Sequence, residues 1–303
     1  MKKRKSINSK LISGIVILII AVLAFAGSKF LKEPEKLFED TGLRNCQQTE
    51  SDMMYVDFID VGQGNCTLVH LGDTAILVDS GEVGAAQTVI NYIKNLGIDE
   101  LDCVLVTHPH SDHMGAMIKI LYEFKIKDLI MPEIPEDIIP TNSTYEKFLT
   151  AVSDNAENVI PAEAGMTYSY GEMNFEILAP LHGYDNLNDM SAVSRLSYGE
   201  TSVMFMGDAS TAVEKDLLNT GKDFSADIIN IGHHGSKTAS SQKWLEAVNP
   251  EFAVICCGAG NEYGHPHSVV TERLDNIGIE YYRTDLNGTV VFKSNSKEFT
   301  KFD

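Results

Sequence analysis

VLVTHPHSDHMGA, Val104–Ala116, sets His108, His110, Asp112 and His113 within six residues directly after an apolar run. The run reads as a buried strand ending at Thr107, so these side chains fall in a loop at the strand's C-terminal edge, where α/β folds place their sites. His108 and His110, two apart in an extended loop, point the same way and can share one cation. Asp112 and His113 open the next helix and offer a second set. Imidazole combined with carboxylate suits Zn²⁺, Mn²⁺ or Fe, whereas all-oxygen sets suit Ca²⁺ or Mg²⁺. The bland alternative is a polar turn with surface histidines, and the fixed spacing of four metal-capable residues argues against it.

Outward from this stretch, strands and helices alternate in two successive halves. On the N-terminal side, MMYVDFIDV, CTLVHL and TAILVDS are β-formers separated by glycine-containing turns, which predicts an antiparallel meander. GAAQTVINYIKNLG, Gly84–Gly97, repeats its apolar residues at three and four and ends on glycine, which predicts a helix. On the C-terminal side, HMGAMIKILYEF is expected to be a helix. MNFEILAP, SAVSRLSYG, TSVMFMGD, ADIINIGHHG, EFAVICCG and GTVVFK read as strands. STAVEKDLLNTG, SQKWLEAVNP and SVVTERLDNIG read as the helices between them. No charge-rich linker divides the halves, so the expectation is one α/β sandwich over residues 53–303, with sheets inside and helices outside.

The first residues differ in composition. MKKRKSINSK holds five positive charges and no acid, and Leu11–Gly27 then runs without a charge. At about 17 residues this segment sits at the lower limit for spanning a bilayer. Residues 1–27 therefore read as a signal anchor or a signal peptide. The run's length favours the anchor, and AFAG, Ala24–Gly27, is an A-x-A-like cleavage site. The positive-inside rule keeps the basic end in the cytoplasm, which places the rest at the cell membrane in an extracytoplasmic position, or secretes it. Residues 28–52 are polar, lack periodicity and read as a linker.

The formal net charge is −19, and it is five units more negative without the basic N-terminus. This sign keeps a domain soluble and repels polyanions at long range, so a phosphate-bearing substrate must be held locally, by metal ions. The five cysteines are odd in number and show neither CxxC nor CxxH spacing. They read as small buried hydrophobes and carry no assigned chemistry.

HPHSDH resembles the HxHxDH signature of the metallo-β-lactamase superfamily. That resemblance implies an αββα sandwich with a one- or two-metal site between its sheets. Across Met53–Phe292, FIDVGQGNCTLV, SYGETSVMFMGDAS, ADIINIGHHGSKTASS and NEYGHPHSVVTERL are similar, in order, to the hydrolase domain of the ComEC/Rec2 competence proteins. Secreted phosphorylcholine esterases share much of this pattern. The resemblance implies that His108 and His110 bind a first divalent ion, Zn²⁺ or Mn²⁺, that Asp112 and His113 bind a second, and that Asp208 bridges them. Asp79 becomes an aspartate behind the ligands. His234 aligns better than His233 with the last ligand, which leaves His233 facing the substrate; a register error of one residue exchanges their roles.

Two departures stand out. No histidine lies shortly before Asp208, His182 being the nearest, so Asn188, Asp189 or Ser191 is expected to line the site and the first metal to be loosely held. Asn65 stands where the ComEC pattern has aspartate, in a position that shapes a turn. The resemblance also makes His265 a substrate-facing residue and Asp112 the group that orients or deprotonates water. VGQG, Val61–Gly64, is a glycine turn that can approach a phosphate or simply close a hairpin. Together these imply metal-dependent hydrolysis of a phosphodiester, DNA among the candidates. The alternatives are an esterase of phosphorylcholine type or a lactonase, and a non-catalytic binding module. No protein partner is expected.

Overall fold

The computed structural model describes residues 52–302. The expected signal anchor or signal peptide and nearly all of the expected linker lie outside the described residues. Among the described residues no helix is long and apolar enough to cross a membrane.

Fifteen strands form two sheets. The first half supplies β1 (Met54–Phe58), β2 (Thr67–Leu71), β3 (Thr74–Val78), β4 (Glu100–Leu105), β5 (Lys125–Met131) and β6 (Ala156–Pro161). The second supplies β7 (Thr167–Tyr170), β8 (Met173–Ile177), β9 (Ser194–Tyr198), β10 (Thr201–Phe205), β11 (Ile228–Asn230), β12 (Phe252–Ile255) and β13 (Glu280–Arg283). The chain then returns to the first sheet with β14 (Val290–Ser294) and β15 (Phe299–Phe302). The strand orders are β15-β14-β1-β2-β3-β4-β5-β6 and β13-β12-β11-β10-β9-β8-β7.

The predicted meander is present, since β1, β2 and β3 pair antiparallel. From β3 to β6, and again from β10 to β13, pairing is parallel. Parallel neighbours need crossovers, and the helices supply them on the outer faces. These helices are α1 (Ala86–Asn95), α2 (Ser111–Met114), α3 (Met117–Glu123), α4 (Ser143–Asn155), α5 (Thr211–Asn219), α6 (Gln242–Val248) and α7 (Ser268–Ile277); the short α8 (Thr284–Asn287) instead lies between β13 and β14, where the chain changes sheet.

Alternation assigns the faces. Met54, Val56 and Phe58 of β1 and Met173, Phe175 and Ile177 of β8 meet in one core between the sheets, while Leu68, Ala75 and Leu77 pack outward on α1, α3 and α4. On the far side Met204, Ile229 and Ala253 pack under α5, α6 and α7, around the fully buried Trp244. In α1 the buried positions are Ala86, Val89, Ile90 and Ile93, a helical stripe. The layers are thus helix, sheet, sheet, helix, as expected.

Two local expectations need correction. HMGAMIKILYEF is two helices, because the Ala116 N–H leaves the helical ladder and donates to Gly81 O at 3.0 Å. ADIINIGHHG is strand only over Ile228–Asn230, and Gly232–Gly235 is a tight turn of 3₁₀ type. The sequence reading also gave no element to β5, β6, β7, β13, β15 or α4. β6 is largely polar and exposed without apolar alternation, and β7, Thr-Tyr-Ser-Tyr, alternates over only four residues.

Phe292 lies in the inter-sheet core, with ring contacts to Phe58, Phe252, Tyr282 and Phe299 at 5.1–6.5 Å. Phe292→Ala is expected to cost about 3–5 kcal/mol of unfolding free energy. Urea titration should show this as a lower midpoint at unchanged slope; a loss under about 1 kcal/mol would contradict the two-sheet core.

Candidate metal centre

The predicted site residues come from five strand ends. Asp79 follows β3, His108–His113 follow β4, Asp208 follows β10, His233 and His234 follow β11, and His265 follows β12. Within each sheet these strands run parallel, so the ends of β3 and β4, and those of β10, β11 and β12, fall on common edges. Convergence of the site residues follows from this topology.

Two donor sets result. His108, His110 and Asp208 form one and Asp112, His113 and His234 the other, with ligand atoms within 4.8 Å of one another in each. Asp208 faces both. Its Oδ2 lies 3.7 Å from His108 Nε2, and its Oδ1 lies 3.1 Å from His113 Nε2 and 3.7 Å from His234 Nε2. His108 Nε2 and His110 Nδ1 are 3.0 Å apart, and His234 Nε2 and Asp112 Oδ2 are 3.1 Å apart. Ligands 2.0–2.2 Å from a tetrahedral ion stand about 3.4 Å from each other, so these spacings suit a shared cation.

The decisive atoms are His113 Nε2 and Asp208 Oδ1. Both are buried, and despite their 3.1 Å separation neither is aligned for a hydrogen bond. Unpartnered polar atoms are costly when buried, and a cation would satisfy both.

The groups behind the ligands fix the tautomers. His113 Nδ1–H donates to Asp79 Oδ2 at 2.7 Å, and His234 Nδ1–H donates to the Cys256 carbonyl at 2.9 Å. Thr107 Oγ1–H donates to Asp79 Oδ2 at 2.8 Å, which leaves its lone pairs for His108 Nδ1–H at 3.2 Å. In all three rings Nε2 therefore faces the centre, where it offers a lone pair once it carries no proton, the arrangement metal-ligating histidines use. Asp79 accepts from the Thr107 N–H as well.

Ser191 stands where a further histidine was missed. Its Oγ accepts the Asp208 N–H at 2.9 Å and lies 3.4 Å from His108 Nδ1, so it steadies two ligands from behind. Gly207 makes room for it, since a Cβ there would come within 2.8 Å of Ser191 Oγ. Asn188 closes the turn by accepting the Ser191 N–H, and its own Oδ1 is buried without a partner. Asp189 clamps the Asp208 loop by accepting the Ser210 N–H, and His182 pairs with Asp216 at the surface, apart from both donor sets. Each set thus holds three protein donors, and Asp208 of the first also faces His113 and His234 of the second.

His233 and His234 are both left-handed, at φ 51° and 55°. Such backbone costs about 1 kcal/mol per residue and marks functional turns. Here it turns both rings inward: His234 Nε2 toward Asp208 Oδ1, and His233 Nε2 to 3.5 Å from Oδ2. His233 belongs to neither donor set, and its ring lies 5.6 Å from that of His265. VGQG does not reach toward a ligand by its second glycine. Gly64 lies against the Asp112 carbonyl, 2.3 Å from where a Cβ would sit, and the Asn65 N–H donates to the same carbonyl.

Electrostatics divide the histidines. Burial, with His113 beside it, holds His108 well below the usual imidazole range. Burial also acts against charge on His113 and His234, but Asp208, with Asp79 for the first and Asp112 for the second, outweighs it and raises both. Asp112 and Asp208 are held below the ordinary carboxylate range, since neighbouring histidines overcome burial's opposite push. Burial and the surrounding imidazoles bring His265 down to about 4.

Residues 59–163 match the family model of the metallo-beta-lactamase superfamily. Over those residues the chain is similar to that superfamily. Its relatives include ComE operon protein 3 of Bacillus subtilis, 27% identical over 82% of this chain and 34% of its own length. Competence protein ComA of Neisseria gonorrhoeae is 31% identical over 77% and 31%. Recombination protein 2 of Haemophilus influenzae is 30% identical over 80% and 29%. The chain spans about a third of the length of these relatives. Among solved structures, the metallo-β-lactamase fold protein YhfI of Bacillus subtilis superposes with TM-score 0.53 at 14% identity, over 80% of this chain and all of that one. The diiron β-hydroxylase CmlA of Streptomyces venezuelae gives TM-score 0.53 at 15% identity, over 82% and 54%. These two likenesses show the fold. The superfamily's divalent-metal chemistry has its counterpart here in the two His/Asp sets.

Thr107, the Cys256 carbonyl and the Asn65 backbone escaped the sequence reading. Thr107 adjoins HxHxDH and had a local signal; the other two act through main chain, which sequence does not display.

Two outcomes follow for metal uptake. Asp79→Asn is expected to weaken binding at the His113 set by about 10–100-fold in a chelator competition, and unchanged affinity would contradict the assigned support. His113 and His234 hold a proton to higher pH than an ordinary imidazole, because Asp208 with Asp79 or Asp112 outweighs burial, and a protonated ring must give up its Nε2 proton to bind an ion. Zn²⁺ uptake should therefore release protons, seen by calorimetry in buffers of differing ionisation enthalpy, and should strengthen as pH rises. Uptake without proton release would contradict the set.

Proposed function

We propose that the chain is an extracytoplasmic, metal-dependent phosphodiesterase or nuclease of the ComEC-like branch, tethered by residues 1–27 or secreted after their removal. The observation that carries this reading is the division of Asp208 between two donor sets, with His233 and His265 on the flank of the same cluster. A cation pair held there, Zn²⁺ or Mn²⁺, supplies Lewis-acid polarisation of the scissile ester, charge neutralisation at its oxygens and acidification of attacking water.

The chain's own groups do the rest. Asp112, partly exposed and held anionic by His234 and His113, orients water by accepting its hydrogen bond. Thr238 Oγ1, 3.3 Å from His233 Nδ1, steadies the ring with Nε2 turned to the centre. Burial keeps His233 below the usual imidazole range, so at pH 7 it is a neutral hydrogen-bond donor to the leaving oxygen. His265 contributes a second imidazole at that flank.

The names of the relatives, which refer to competence and recombination, favour nucleic acid as the phosphodiester. The charge of −19 favours short strands or ends over long polyanions. That same charge supports a second reading, an esterase of phosphorylcholine type or a lactonase, whose substrate carries no polyanionic tail.

The full chain, loaded separately with Zn²⁺ and Mn²⁺, should cleave single-stranded DNA and bis-p-nitrophenyl phosphate, and Asp208→Ala or His234→Ala should lower the rate about a thousandfold. Cleavage of p-nitrophenyl phosphorylcholine alone would replace the substrate by that of the second reading. Inertness on all three, with less than one metal per chain, would point to a binding module.

A further inference from the structure

Between β12 and α7, residues 256–267 form a stiff loop beside the centre. Asn261 closes it: Oδ1 accepts the His265 N–H at 2.9 Å, and Nδ2 donates to the carbonyls of Gly258 and His265 at 2.9 and 2.6 Å. The Gly258 N–H donates to Gln63 Oε1 at 3.1 Å, which ties the loop to the glycine turn packed on Asp112.

This frame presents two rings. His265 is 9% exposed, its Nδ1 is buried without a hydrogen-bond partner, and its ring lies 5.6 Å from His233 and 6.2 Å from His234. Tyr263 stacks on it at 5.6 Å and 22°, and is 67% exposed. An aromatic ledge therefore steps from the metal-facing histidines to solvent, its outermost ring held in place by the ring beneath.

We propose that Tyr263 is a specificity-determining platform on which a nucleobase next to the scissile phosphodiester stacks while the phosphoryl group lies at Asp208. This rests on the phosphodiesterase reading and names what that site selects. A chain of charge −19 gains little from backbone phosphates at long range, so the uncharged face of a base is the part of such a substrate it can grip. Base-aromatic stacking is tolerant of sequence and contributes roughly tenfold in affinity per base.

The test uses the metal-loaded full chain and two dinucleotide phosphodiesters, one with both bases and one with an abasic sugar beside the scissile phosphate. The wild type is expected to prefer the base-bearing substrate through KM. Tyr263→Ala should shrink that preference about tenfold, with kcat on the base-bearing substrate changing less than about twofold, and Tyr263→Trp should restore it. A wild-type preference that Tyr263→Ala leaves intact, or no wild-type preference at all, would overturn the platform while the phosphodiesterase reading stands. A wild type inert on both substrates but active on p-nitrophenyl phosphorylcholine would overturn the reading, and the platform with it.

Discussion

The buried carboxylate of Asp208 sits among His108, His113, His233 and His234, and its two oxygens face different neighbours. A lone carboxylate this deep would be costly, and pairing with imidazoles offsets only part of that cost. The orphaned atoms His113 Nε2 and Asp208 Oδ1 show where a positive charge is still wanted. The surroundings answer that need: Ser191 holds the Asp208 backbone, Gly207 admits Ser191, and Asp79 with Thr107 turns His113 and His108 the right way.

The fold makes this arrangement possible because ligands distant in sequence leave parallel strands at common edges, β3 and β4 in one sheet and β10, β11 and β12 in the other. Rigid strands with short loops hold such donors to fractions of an ångström, which metal geometry requires. Strain is confined to the turns, where Asp79, His233 and His234 adopt left-handed backbone. The strength of the surrounding core is what lets those residues stay there.

Much of this was legible in the sequence, for identifiable reasons. HxHxDH packs four donors into one loop directly after an apolar run, and strand and helix patterns alternate along the chain, so that loop and the sandwich could be read from the residues. Asp79, Asp208 and His234 were implied by the family resemblance and Ser191 was among the candidates for the missing histidine, and the structure brings all four to the centre. What escaped was of two kinds. Of the edge strands, β6 buries too little to show alternation and β7 is too short for its alternation to mark it. Contacts made by main chain, such as Cys256 O on His234 or Ala116 N–H on Gly81 O, depend on tertiary approach and leave no residue signature. Tyr263 belongs with these, because its position acquires meaning only when Asn261 folds the loop against His265.

The account stands or falls on one carboxylate joining two cations. Electron paramagnetic resonance of the full chain loaded with two equivalents of Mn²⁺ tests this most directly. A bridged pair gives a spin-coupled dimanganese spectrum that Asp208→Asn converts to isolated Mn²⁺ signals. Isolated signals in the wild type at two bound equivalents would contradict the shared bridge.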